Sequence, residues 1–532
     1  MEVQRNFFIF AFLFVSFLLW QAWQNQSFLS NKTNEKTDSL LNFIRPQKHK
    51  NQIFIKNDVI SLVVNMYGGD IEEANLLVYK DRLNSSKPLK LLETTSDFIY
   101  QAQSGLIGKD GPDSSNNIRP LYTSKKNFFE LEDNKKELRV PIKWIDKNGV
   151  IYTKIFILKP KRYDIEIEYD IYNTTKNALE MNMFGQIKQT INLPEKRNLY
   201  SKNFALQTFR GAAYSSVDNK YEKYEFNSIS HNKNLHILTK NGWIAMLQQY
   251  FAVAWIPSDT TIGDNTIYTS NLDNNIAAIG YKSPPINVLP HSRYVLKSKL
   301  WIGPEIQKEM KLVAPNLDLT VDYGWLWFLS QPLFQLLTIL HKIIGNWGFS
   351  VVVITFIMKA ITYPLTKAQY VSMIKMRALQ PRIKEIKEKF KNDKKRISQE
   401  IIFLYKKEKI NPLSGFLPIF IQMPIFLSLY YMLISSVELR HAPFFLWIND
   451  LSSQDPYYIL PIIMGLTMFI MQQISSNNNI TDPIQKKIMN FMPVIFTVFF
   501  LWFPAGLVLY YIVSNTVTII QQKFIFSKLN QI

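Results

Sequence analysis

Cysteine is absent from all 532 residues, which excludes disulfides and thiolate metal sites. Histidine occurs only 6 times and nowhere at metal-ligand spacing. No glycine-rich phosphate loop is present either. Carboxylates are plentiful between residues 51 and 320, but in strand alternation they describe a solvated face and not a pair of catalytic acids. The chain therefore offers nothing for metal, cofactor or acid–base chemistry, and no enzyme is expected. Uniform apolarity is missing as well: 47% of residues are hydrophobic, yet mean hydropathy is near neutral. Membrane segments must be diluted by a large water-soluble part, and this length implies two or more structural units.

What is in excess is positive charge, +19 from 61 Lys and Arg against 42 Asp and Glu. Lysine amid abundant Asn and Ile is what an AT-rich coding sequence gives. The excess is concentrated in one segment between apolar runs. That distribution speaks for membrane topology before phosphate binding, and no specific DNA binding is expected.

Met1-Glu-Val-Gln-Arg5 precedes an apolar run from Phe7 to Trp20, and Gln21-Ala-Trp-Gln24 follows where a removed signal peptide would carry small residues. Residues 1–23 are therefore read as an uncleaved transmembrane anchor. Residues 24–50, polar and aperiodic, read as a flexible tether. Over 51–320 the pattern becomes short alternating runs such as Asp164-Ile-Glu-Ile-Glu-Tyr-Asp-Ile-Tyr172, punctuated by turns such as Gly68-Gly-Asp70 and Gly108-Lys-Asp-Gly-Pro112. This predicts an antiparallel β-sandwich with a core of its own and no internal repeat. Residues 321–346, loaded with Trp325, Trp327, Phe328, Phe334 and Ile343, read as an amphipathic helix lying in the membrane interface.

Five apolar runs follow within 347–525: roughly 349–364, 416–434, 457–471, 488–502 and 506–520. Several fall short of the ~20 residues that cross ~30 Å of hydrocarbon, which implies a thinned bilayer or extension by their flanks. Phe503-Pro-Ala-Gly506 joins the last two as a tight turn that must sit at a membrane face. Between the first two runs lies a segment rich in Lys and Arg (366–412), whereas 435–456 carries only Arg440 beside Glu438, Asp450 and Asp455. The positive-inside rule places the basic segment and both termini in the cytoplasm and the β domain on the opposite side of the membrane of a multi-pass protein. Within 366–412 apolar residues recur at helical spacing, from Met373 to Phe390 and from Ile397 to Leu404, broken at Asn392-Asp393. Two amphipathic helices in an antiparallel hairpin are predicted, the first kinked at Pro381.

The five runs contain a single charge, Lys359, with no carboxylate to pair it. Neutral dipoles and water are its expected company: Gln422, Ser514, Asn515 and Thr518 on other runs, Ser350 and Thr355 on its own. Two readings stay open. Lys359 lies roughly 8 Å from the cytoplasmic end and could snorkel to the headgroups. Alternatively it is held in a wet cavity, where it would attract acidic or polar segments of a passenger.

Asn346-Trp-Gly-Phe-Ser350, Tyr363-Pro-Leu-Thr-Lys-Ala-Gln-Tyr370, Ile421-Gln-Met-Pro-Ile-Phe-Leu427, Asp455-Pro-Tyr-Tyr-Ile-Leu-Pro461, the stretch Phe491–Pro504 and Leu509-Tyr-Tyr-Ile-Val-Ser-Asn515 closely resemble the bacterial YidC insertase family, nearly unbroken from Trp347 to Gln522. Gly242–Pro257 resembles the family's periplasmic domain in Gram-negative bacteria. The resemblance implies a membrane protein insertase and chaperone with a five-span α-helical core, an amino-terminal anchor, a periplasmic all-β supersandwich and a cytoplasmic helical hairpin. It also implies a hydrophilic groove open to the cytoplasm, with Thr355 and Tyr511 among its substrate contacts. A hydrophobic slide would be formed by Met423, Pro424, Phe426 and Leu427 on the third span and by Met492, Pro493, Phe496 and Trp502 on the fifth. Implied partners are nascent membrane proteins, the Sec translocon, the lipid bilayer, and the ribosome and signal-recognition-particle receptor through the hairpin and carboxy terminus. Family members typically carry arginine at Lys359, so the charge survives here without the five-donor fork. A secondary transporter or channel is the first rival, though it would need paired intramembrane charges or two related halves. A membrane-tethered periplasmic carbohydrate-active enzyme is the second.

Overall fold

The computed structural model describes residues 51–114, 119–194, 208–231, 233–258, 263–273, 275–390, 393–408, 417–476 and 483–529. The anchor and tether expected over 1–50 lie outside the described residues. From Gln52 to Pro304 the chain alternates inward apolar with outward polar side chains, and that period-two pattern builds two sheets. In β9 (Asp164–Tyr172), for example, Ile165, Ile167, Tyr169 and Ile171 are buried. Its outward carboxylates meet cations on flanking strands: Arg293 lies 3.0 Å from Asp170, and Lys297 lies 2.6 Å from Glu168. The 11-stranded sheet and the 8-stranded sheet are antiparallel throughout except where β1 (Gln52–Lys56) pairs in parallel with β6 (Phe128–Glu130).

The sheets share one core. Tyr100 OH donates across it to Met246 O at 3.2 Å, and Tyr281 OH reaches Ser298 Oγ at 2.8 Å. The Gly242–Pro257 motif supplies the hairpin of β14 (Trp243–Gln248) and β15 (Phe251–Pro257), whose Trp243 and Trp255 are fully buried. Lys154 is buried between the sheets, its ammonium 2.7 Å from Gly69 O and 3.1 Å from Gly68 O. Burial pushes its pKa down to about 7.

Beyond Pro304 the chain is helical. After α1 (Phe226–Ser230) within the β region, α2 (Gln307–Val313) and two 3-10 turns lead to α3 (Trp327–Ile344). Leu333 and Leu337 are buried while Trp327, Phe328, Ile339 and Ile343 are exposed, the one-sided apolar exposure expected of an interface helix. Gly345 ends it at φ 76°, a left-handed conformation that glycine takes without strain.

Then come α4 (Trp347–Ala378), α5 (Gln380–Lys389), α6 (Lys394–Lys407), α7 (Leu417–Ser435), α8 (Ile459–Ser476), α9 (Pro483–Phe500) and α10 (Ala505–Leu529). Within α4, Trp347–Ser372 is the one stretch among the described residues that is long and apolar enough by itself to cross a bilayer; the apolar parts of α7, α8 and α9 are shorter. At 18–19 residues, α7, α8 and α9 reach only ~28 Å.

Helix α4 does not stop at Pro364 but runs through it for 32 residues, carrying Tyr370 and Ser372 on one continuous rod. Pro381 does not kink a helix: α4 ends at Ala378, and Pro381 sits in the first turn of α5. Proline lacks only an N–H that the first turn leaves unused, so it starts a helix more readily than it bends one. The hairpin itself is present. Leu379 and Ile383 pack on Ile401, Leu404 and Tyr405, Asp393 caps α6 by accepting from Arg396 N at 2.9 Å, and Arg382 meets Glu408 at 3.0 Å.

Candidate functional site

Three helices converge on Lys359. From α4 its ammonium donates to Gln422 Oε1 on α7 at 3.3 Å and to Thr518 Oγ1 on α10 at 3.0 Å. Gln422 can serve as acceptor there because its amide nitrogen points the other way, donating to Tyr510 OH at 2.8 Å. Thr518 can also donate while it accepts, and its hydroxyl hydrogen goes to Ser514 O at 2.7 Å. From the next turn of α10, Gln521 Nε2 donates to the Lys359 carbonyl at 3.3 Å. The Oε1 of Gln521 is buried and has no partner among the described residues. Neutral dipoles thus surround one positive charge. Two of the three ammonium donors are taken, and among the described residues no carboxylate pairs with Lys359.

The other residues expected around this charge are distributed differently. Thr355 is fully buried and returns its hydroxyl to Val351 O on its own helix at 2.6 Å; Ser350 does the same to Asn346 O at 2.7 Å. Asn515 turns toward α8 and donates to Thr467 Oγ1 at 3.1 Å. Ser514 contributes its backbone carbonyl. Tyr510 and Gln521 join the cluster without having been singled out as members. A tyrosine near the end of an apolar run looks like an interface anchor in sequence, and nothing local distinguishes one that turns inward.

Tyr511 belongs to a second feature, an aromatic wall between α7, α9 and α10. Its ring lies 5.4 Å from Phe426 and 5.1 Å from Phe500, and Phe496 lies 6.3 Å from Phe500. Of the residues implied to form a slide, Met423 and Trp502 are 44% and 42% exposed. Pro424, Phe426, Leu427, Met492 and Phe496 are half-buried, and Pro493 is buried. The outer row of α9 (Phe491, Val494, Ile495, Val498) is exposed and wholly apolar. Gly465 lets α8 press against α9 behind that row, since a Cβ there would lie 1.9 Å from Thr497 Oγ1.

At the opposite end of the helices, the 436–458 segment binds the β domain. Val437 is buried in the core of the β domain. Arg440 donates to Lys80 O at 2.8 Å and Asp81 O at 3.0 Å and lies over the Phe251 ring. Gln249 Nε2 reaches Ile434 O at 3.4 Å, and Lys223 pairs with Asp322. Glu438 is desolvated there, which pushes its pKa up to about 7, with Tyr79 and Glu309 of the β domain nearby. The same segment is tied to the α9–α10 turn: Ala505 N donates to Ser453 O at 2.7 Å and Gly506 N to Leu451 O at 2.9 Å.

Residues 52–336 match the family described as YidC periplasmic domain, and residues 339–531 match the 60Kd inner membrane protein family. Membrane protein insertase YidC of Buchnera aphidicola subsp. Acyrthosiphon pisum (strain 5A) is 78% identical over 532 residues, all of both chains. Its counterpart in Buchnera aphidicola subsp. Schizaphis graminum (strain Sg) is 70% identical over 529 residues, covering 99% of this chain and 98% of that one. In Buchnera aphidicola subsp. Baizongia pistaciae (strain Bp) the identity is 58%, over 100% of this chain and 99% of the relative. A crystal structure of an active YidC insertase aligns with 89% of this chain and 92% of its own, at 19% identity and a TM-score of 0.37.

Proposed function

The chain belongs to the family of YidC membrane protein insertases, and from that premise we propose that it draws the polar flank of a nascent membrane protein toward Lys359 and releases the apolar segment along α7 and α9. One observation carries the reading: a lone cation held by neutral partners on three helices. Burying an isolated charge at the centre of a membrane helix costs roughly 3 kcal/mol by insertion scales. Two hydrogen bonds to a charged group, about 1.5–3 kcal/mol each, offset that cost without neutralising the charge. A carboxylate partner would have cancelled the field. Left unpaired, the charge attracts acidic or polar groups of a passenger and lowers the barrier to carrying them partway across.

In this reading α4, α7, α8, α9 and α10 are the five spans, and 321–346 lies in the outer interface. The basic hairpin and both termini are cytoplasmic, and the β domain is the periplasmic supersandwich of an inner-membrane protein. The unit boundaries are those read from the sequence: anchor 1–23, tether 24–50, β domain 51–320, interface helix 321–346 and core 347–525. The ~28 Å lengths of α7, α8 and α9 thin the bilayer beside the site and shorten the path a polar segment must travel. Exposed Phe491, Val494, Ile495 and Val498 continue the apolar surface from Met423 and Trp502 outward, so transfer of the passenger's apolar segment to lipid supplies the driving force. No nucleotide and no covalent step is required. The hairpin and carboxy terminus are the natural meeting place for the ribosome and the signal-recognition-particle receptor, and the membrane core for the Sec translocon.

Site-specific photocrosslinking of stalled nascent chains tests this. Probes at Met423, Phe426, Met492 and Phe496 should capture the apolar segment of a single-span substrate, while a probe on the outer face of α8 at Leu466 should not. Capture only at Leu466 would overturn the path.

A further inference from the structure

Apart from Arg396, whose guanidinium lies 5.1 Å from the Phe390 ring centroid, helix α6 presents a face that the hairpin's own packing does not use. Along it the exposed residues recur in pairs, 395–396, 398–399, 402–403 and 406–407, and the half-buried ones fall between them. The half-buried side is the one that packs on Leu379 and Ile383. The exposed stripe holds Ile402 and Phe403 at its centre, 55% and 65% exposed. Lys395 and Arg396 lie two turns before them and Lys406 and Lys407 one turn after. No carboxylate shares the stripe: Glu400 is on the half-buried side, and Glu408 is occupied by Arg382 at 3.0 Å.

We infer that this stripe docks on an anionic lipid surface, the cytoplasmic leaflet beside the insertase core, with Ile402 and Phe403 dipping into the headgroup region between two pairs of cations. An apolar centre flanked by cations on one helical face is what a bilayer interface accepts: the side chains enter the acyl boundary while the ammonium and guanidinium groups meet lipid phosphate. A ribosomal RNA surface would use the cations but gives Ile402 and Phe403 no apolar medium, so it explains half of the pattern. Chain length keeps the stripe within reach. Nine residues separate Lys407 from Leu417, where α7 begins, so the end of α6 stays within ~35 Å of the membrane helix. This inference rests on the cytoplasmic placement of the hairpin proposed above.

The absence of native cysteine allows a direct test in the full chain. Phe403→Cys carrying an environment-sensitive fluorophore is reconstituted in vesicles of zwitterionic lipid alone and with about a third anionic lipid. Blue-shifted emission and protection from aqueous iodide are expected only with anionic lipid and should vanish in high salt. Lys395→Gln/Lys406→Gln/Lys407→Gln should weaken this lipid dependence about a hundredfold, at roughly fivefold per cation, while the corresponding Lys→Arg variant keeps it. Emission indifferent to lipid charge, or protection that appears only when ribosomes are added, would overturn the docking. Labelling of Glu385→Cys, an exposed position on α5, reports the side of the membrane independently. Reaction from the periplasmic side would overturn the topology and this inference with it.

Discussion

At the scale of single residues, Lys359 is the group on which insertion of polar segments depends. Its two acceptors are an amide and a hydroxyl, so its charge is solvated but not cancelled. Reversing it should place a carboxylate against Gln422 Oε1 and repel acidic passengers. Lys359→Glu is expected to slow insertion of substrates with acidic translocated segments by tenfold or more, on the order of one charge-assisted hydrogen bond. Lys359→Arg should stay within about twofold of the parent, because field rather than fork geometry is required. In vivo insertion of a reporter at matched expression checks both. The lysine was legible in the sequence because it is the only charge in five apolar runs. Its partners were legible only in part. Gln422 and Thr518 reach it, whereas Thr355 and Ser350 bond their own helix and Asn515 bonds α8. A hydroxyl or amide on an apolar run carries no local mark of the neighbour it will choose, since that depends on helix rotation and packing.

At the scale of elements, sequence periodicity located the strands and the hairpin, while proline was read too narrowly. Pro364 passes inside α4, and Pro381 opens α5 instead of bending its predecessor. The outcome depends on whether neighbouring helices hold the rod together and whether proline falls in a first turn, neither of which a local pattern records. The segment after α7 yields an element-scale prediction. Glu438 is desolvated against the β domain and its pKa rises from 4.5 to about 7. An acid whose folded pKa is raised contributes stability that is fully present below pH 4.5 and is lost as pH rises through about 7. Docking of the β domain on 436–458 should therefore loosen as pH rises from 4.5 to about 7. Hydrogen exchange of the 437–442 amides would report it, and Glu438→Gln should flatten the pH dependence. Unchanged pH dependence in that variant would mean that another group governs the contact.

At the scale of the whole molecule, the contacts between the two units include Val437 in the core of the β domain, Arg440 on the carbonyls of Lys80 and Asp81, Gln249 on Ile434 O and the Lys223–Asp322 pair. None of them touches the Lys359 cluster, which is held entirely by α4, α7 and α10. Deleting residues 51–318 should accordingly leave insertion of a single-span substrate within a few-fold of normal, while exposing Val437 and lowering the thermal stability of the membrane part. Complete loss of insertion, with the core still folded, would shift the site into the β domain. This division into a soluble β unit and an apolar helical unit was plain in the sequence, because the hydrophobic period changes near Asp322. The contact between the units was not, since Arg440 looks there like a topological charge in a loop and gives no sign of the backbone carbonyls it binds.

Water should reach the Lys359 cluster from the cytoplasm, and thiol accessibility checks this. Lys359→Cys would be the only thiol in the chain, and a charged, membrane-impermeant thiol reagent should modify it from the cytoplasmic side and not from the periplasmic side. A thiol that resists the reagent from both sides, yet reacts with a lipid-soluble one, would mean that the site is dry and that no aqueous route leads to it.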